Sequence, residues 1–200
     1  MITVTAGDGD QQDSIWTQPL FFAGAAIAAF MALRAGAWPM RFHRLRWRDF
    51  RAWFSKSVCW AAGLLAAEIF LLTLFASFGA AFPDEAPYDP GEWHTGEMAA
   101  WLAAIATVVC LAPLAEELFF RGFLQLFLHE RIGRKAAWIL QAALFAMLHP
   151  GWRMPGAFLF GLAAGRCRLR SRSLAMPVTM HILHNAFIIC LAELFFGFFA

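Results

Sequence analysis

Six long apolar runs dominate the chain, separated by short polar or charged stretches. They cover about residues 17–35, 58–82, 98–128, 136–150, 155–166 and 174–199. Runs this long and this free of polar relief predict helices that cross a bilayer, which takes about 20 residues of helix. The fourth and fifth runs are short for that task. They predict partial spans meeting at a Pro150-Gly151 turn, or tilted helices shielded by neighbours. Pro83, Pro87, Pro90, Pro150 and Pro155 mark boundaries, whereas Pro113 and Pro177 fall inside runs and predict kinks. The expected fold class is all-α: a polytopic transmembrane helical bundle of about six membrane segments. Residues 1–97 form two spans with a basic and an acidic loop, and residues 98–200 form a helical core.

Composition strengthens this reading. The chain is 60% hydrophobic and only 15% charged, against about 25% charged in a soluble domain. Trp16, Trp38, Trp53, Trp93, Trp138 and Trp152 fall near segment ends, where indoles anchor at the interface. Cys59, Cys110, Cys167 and Cys190 show no C-x-x-C spacing and read as small buried apolar residues, not disulfides or a thiolate metal site. The acidic N-terminus (Asp8, Asp10, Asp13) lacks the positive region of a cleavable leader.

Charge gives orientation. Thirteen of the 16 Lys and Arg residues lie in three loops: Arg41 to Lys56, Arg131 to Lys135, and Arg166 to Arg172. Residues 83–97 carry five acids and no Lys or Arg. The positive-inside rule places the basic loops in the cytoplasm and both termini outside an inner cell membrane. Beside two spans, the basic 41–56 run points to lipid headgroups and not to nucleic acid.

Against this background a few polar residues stand out. Glu116, Glu117 and Arg121 lie in the third run, His149 ends the fourth, and His181, His184 and Asn185 lie in the sixth. A charge near mid-bilayer costs roughly 2.5–3.5 kcal/mol on insertion scales, so three in one turn of helix call for a use. Counting about 1.5 Å per helical residue from the basic loops puts Glu116, His149, His181 and Asn185 near one depth. Glu117 and Arg121 are four apart and share a face; Glu116, rotated by about 100°, is left free to face a cavity. The plainer reading is a packing salt bridge. His149 alone reads as a helix-end histidine bonded to a carbonyl. His181 and Asn185 share a face and suit an oxyanion or, equally, polar glue between helices. His184 could join the site but reads better as a packing residue, Glu68 and Glu193 have no spacing argument and are open to bonding across helices or serving the site, and Gly161-x-x-x-Gly165 reads as a close helix-packing face with a modest further role in bringing the His181 helix near the others.

Taken in order, Glu116-Glu117-x-x-x-Arg121, Phe145-x-x-x-His149 and His181-x-x-x-Asn185 resemble the three motifs of the CPBP family (CAAX proteases and bacteriocin-processing enzymes, also called Abi), over residues 111–185. The resemblance implies an intramembrane endopeptidase with its active site inside the membrane. Glu116 and His149 would activate water, His181 and Asn185 would stabilise the oxyanion, and Glu117, Arg121 and Phe145 would support the site. A metal-free, glutamate-type mechanism is favoured. Zinc on Glu116, His149 and His181 is the alternative, although no H-E-x-x-H is present. The expected partners are a hydrophobic-tailed peptide or membrane protein and the lipid bilayer. Two readings compete: a non-catalytic immunity protein or peptide-binding scaffold using the same cavity, and a small transporter, which the lack of an internal repeat disfavours.

Overall fold

The computed structural model describes residues 47–77, 98–149, 151, 153–192 and 194. The first apolar run, the acidic loop, Glu193 and both termini lie outside the described residues. Within them there is no strand. The helices are α1 (Trp47–Ser77), α2 (Met98–Ala106), α3 (Ala112–Glu117), α4 (Gln125–Ile132), α5 (Arg134–Met147), α6 (Arg153–Ser171) and α7 (Ala175–Ala192). Two π-helical segments, π1 (Thr107–Leu111) and π2 (Leu118–Leu124), join α2, α3 and α4 into one continuous rod.

Windows Trp53–Leu74, in α1, and Leu102–Ile132, along the rod, are long and apolar enough to cross a membrane; Ala175–Leu191 is a shorter apolar helix. Of the turn expected at Pro150-Gly151, Pro150 lies outside the described residues, and Gly151 is a turn residue at φ +73° between α5 and α6. Gly133, at φ +80°, makes the equivalent break between α4 and α5. Both positions sit in the left-handed region that glycine enters without a steric penalty. α6 is longer than its apolar run and continues through Arg166, Arg168 and Arg170, because backbone hydrogen bonding does not stop where the hydrocarbon does.

Pro177 departs from expectation. It is the third residue of α7, in the first turn, where a backbone N–H has no helical partner to lose. No kink is required there. Pro113 does perturb its helix, but as a register change: π1 immediately precedes it, and the Ala112 N–H reaches back five residues to the Thr107 carbonyl.

α5 and α6 form a tight hairpin, α1 lies along α7, and α6 packs on α1 and α7. The Gly161-x-x-x-Gly165 face works as a close-packing surface, but toward α5 and not toward the His181 helix. A β-carbon at Gly161 would lie 2.9 Å from Ala142 Cα, and one at Gly165 would lie 2.5 Å from Gln141 Nε2. Three α6 carbonyls on this face accept side-chain bonds. Gln141 Nε2 donates to Gly161 (2.9 Å), Trp138 Nε1 to Leu162 (2.7 Å) and Gln125 Nε2 to Gly165 (3.2 Å). Trp138, half-buried, thus spends its indole N–H inside the bundle. The buried core gathers Phe120, Phe145, Phe160, Ala61, Leu64 and Met180 from five elements. Of the cysteines, only Cys167 is buried; Cys59, Cys110 and Cys190 are exposed, and all four are free.

Candidate active site

The rod carries the first group. Glu117, the last residue of α3, and Arg121, in π2, are both fully buried, with Arg121 Nη1 donating to Glu117 Oε1 at 2.8 Å. A buried charge is tolerable only when paired and surrounded by polarisable or hydrogen-bonding groups. Arg121 meets that condition with one carboxylate and three rings: its guanidinium lies 4.5 Å from the centre of Phe145, 5.6 Å from Phe160 and 5.8 Å from Phe120. Such cation–π contacts strengthen when desolvated. Phe145 thus forms a wall over Arg121.

α7 brings the second group. His181 Nδ1 donates to Glu117 Oε1 at 3.0 Å, so Glu117 does more than hold the arginine: one oxygen accepts from both Arg121 and His181 and ties the rod to α7. That bond fixes the imidazole with its proton on Nδ1 and aims Nε2 at Glu116, whose Oε2 lies 3.8 Å away. This is beyond direct hydrogen-bonding distance. Glu116 keeps 23% of its side chain exposed, while Glu117 keeps none. The two adjacent carboxylates therefore differ as expected, one locked and one open.

The remaining motif residues join less directly. His149 follows the end of α5, and its Nδ1 lies 3.0 Å from the Phe145 carbonyl. A carbonyl only accepts, so Nδ1 carries the proton and Nε2 keeps its lone pair. The His149 ring rests on Phe145, 4.7 Å between centres. Among the described residues no hydrogen bond or ion pair joins His149 to Glu116 or His181. Asn185 Nδ2 donates to the Val108 carbonyl in π1 at 2.8 Å, the interhelical bond anticipated as polar glue, which leaves its second N–H uncommitted.

Among the described residues no three His, Cys, Asp or Glu side chains are gathered closely enough to hold a metal.

Several participants were not anticipated. His184 Nε2 lies 3.3 Å from Glu68 Oε2 of α1, which gives both residues a partner and leaves His184 in the packing role assigned to it. The Glu68 side chain lies against Gly156, where a β-carbon would sit 2.8 Å from its Cγ. Phe160 lies between the two histidines, 4.4 Å from His181 and 5.3 Å from His184. Nothing in the sequence marks Phe160 for this, whereas Pro113 was a usable signal for the Val108 carbonyl, as argued below.

Every side chain that builds this site from the rod, α5 and α7 falls within residues 98–187, the stretch that matches the family described as type II CAAX prenyl endopeptidase, Rce1-like. No curated protein and no solved structure matches the chain. With its membrane-length apolar helices, the chain is an integral membrane protein whose residues 98–187 are similar to the type II CAAX prenyl endopeptidases.

Proposed function

We propose that the protein hydrolyses a peptide bond near the C-terminal or hydrophobic segment of a membrane-associated peptide or protein, by metal-free attack of water. The observation that carries this reading is the buried chain Arg121–Glu117–His181–Glu116, which runs from a fully locked ion pair to an open carboxylate. In this reading Glu116 takes a proton from water, with His149 Nε2 as the second acceptor across the cavity. A water bound to Glu116 and His149 bridges groups that do not touch each other. As the tetrahedral intermediate forms, Asn185 donates its second N–H to the oxyanion, and His181, oriented by Glu117, donates from Nε2 when it carries a second proton there besides the one on Nδ1. Glu116 then returns the proton to the leaving amine. Phe145 and Arg121 hold the geometry.

The remaining expectations complete the proposal. Six spans in an inner cell membrane place the basic loops in the cytoplasm and both termini outside. Residues 98–200 form the catalytic core and residues 1–97 two accessory spans. The substrate's apolar tail, whether a prenyl group or hydrophobic side chains, partitions into the bilayer beside the site.

The test is cleavage of a panel of tail peptides, prenylated and unprenylated, by purified protein in detergent. Glu116→Gln and His149→Ala are compared with wild type, each with and without a strong zinc chelator. Removing a general base lowers the rate by about 10²–10⁴-fold. Glu116→Gln is expected to do so, with wild-type cleavage resistant to chelation. Chelator-sensitive cleavage restored by zinc would replace the glutamate mechanism. Undiminished cleavage by both variants would remove these residues from catalysis.

A further inference from the structure

We propose that Pro113 is a positioning residue, which frees the Val108 carbonyl so that Asn185 can be held in place. In π1 each N–H reaches the carbonyl five residues back, and the Ala112 N–H is committed to Thr107. In that register the next donor, to Val108, would come from residue 113. Residue 113 is proline and has no N–H. The Val108 carbonyl is therefore passed over by both neighbouring donors: Ala112 bonds one residue earlier, and Pro113 has nothing to give. Val108 is exposed on a membrane-length helix, where hydrocarbon offers a carbonyl no donor and leaving it without a partner is costly. Here Asn185 Nδ2 fills the gap from α7 at 2.8 Å.

The consequence reaches the site because of where the three residues sit. Pro113 is fully buried and lies three residues before Glu116 on α3. Asn185 lies four residues after His181 on α7. The Val108–Asn185 bond thus fixes α7 against the rod one turn from the place where Glu117 holds His181. It also fixes the plane of the Asn185 amide, and with it the direction of the second N–H. A regular α-helix would supply Val108 with its own donor and would rotate the chain before the bulge by about 100° relative to Glu116. One missing N–H accounts for both the π segment and the latch.

This inference rests on the hydrolytic reading only for its effect on rate; the latch itself is read by stability. The experiment is a double-substitution cycle of Pro113→Ala and Asn185→Ala, measuring thermal unfolding and tail-peptide cleavage in detergent. Proline is the poorest helix former and alanine the best, so Pro113→Ala is expected to keep or raise the unfolding temperature. Its cleavage rate is expected to fall by roughly ten- to a hundredfold, the scale of a small misplacement of a reacting group, in kcat more than in KM. In the wild-type background Asn185→Ala lowers the unfolding temperature. In the Pro113→Ala background it does so much less, because residue 113 now has an N–H to offer, and it adds little further loss of rate. Equal unfolding shifts in the two backgrounds would overturn the latch. Non-additive unfolding shifts with an unchanged Pro113→Ala rate would overturn the positioning role. If wild type cleaves nothing on the panel, the hydrolytic reading fails, while the unfolding cycle still decides the latch.

Discussion

Two histidines three residues apart on α7 each meet a glutamate, and both touch Phe160, yet they are built differently. His181 faces two carboxylates, one fully buried and held by a fully buried arginine. His184 faces Glu68 alone, at 3.3 Å with 20% of the carboxylate exposed. The first pair is assembled within residues 98–187, the second reaches outside them to α1. Burying three ionisable groups beside a fourth demands a counter-charge and fixed hydrogen bonds, and Arg121, walled by three rings, supplies the charge. One partly exposed pair makes no such demand. The amount of supporting structure around a polar group, more than the presence of a His–Glu contact, separates a site from a helix tie.

Removing the counter-charge gives the largest contrast. Arg121→Leu leaves the Glu117 carboxylate buried with His181 as its one remaining hydrogen-bond donor. Breaking a buried ion pair in this way costs about 3–5 kcal/mol, and thermal unfolding in detergent is expected to show it together with loss of cleavage. A shift as small as that of a surface pair would mean that water reaches Glu117, and the contrast between the two histidines would collapse.

Neutralising the shared carboxylate comes next. In Glu117→Gln the side-chain oxygen still accepts one bond, so the expected loss is about 1.5–3 kcal/mol, the worth of a hydrogen bond to a charged group. Cleavage is expected to fall at least about tenfold, because the His181 ring loses the acceptor that fixes its tautomer. Nitrogen chemical shifts of His181 would report that change directly. An unchanged tautomer in the variant would show that Phe160 and the packing of α7, not Glu117, orient the ring.

How far this was legible in the sequence follows from what each feature depends on. The helices and their order follow from the apolar runs, because a run of that length leaves the backbone no partner but itself in hydrocarbon. Glu117–Arg121 follows from four-residue spacing, and the exposure of Glu116 from its rotation relative to Glu117. The Glu117–His181 bond spans 64 residues and depends on how α7 docks, which no local pattern encodes. The Glu68–His184 tie was invisible for the same reason. The π segments were hidden because the apolar pattern of the third run is nearly continuous and gives no phase from which a slipped register could be read. Pro113 suggested a kink where the chain instead changes its hydrogen-bond register. Gly161 and Gly165 are legible as a packing face but not its partner, since small residues permit close approach without choosing one; Gln125, Trp138 and Gln141 make that choice.

The smallest expected effect belongs to Glu68→Gln, and it tests the comparison from its weaker side. Gln keeps the shape of Glu68 against Gly156 and can still exchange a hydrogen bond with His184, so only the charge is removed. A partly exposed pair is worth about 0–1 kcal/mol. The unfolding temperature is therefore expected to move little, and cleavage to stay within about tenfold of wild type, since 1.4 kcal/mol corresponds to tenfold in rate. If cleavage instead collapsed while stability held, Glu68 would be acting on the site through His184 and the Phe160 ring that both histidines touch. α1 would then belong to the catalytic machinery and would no longer be a helix that merely packs against it.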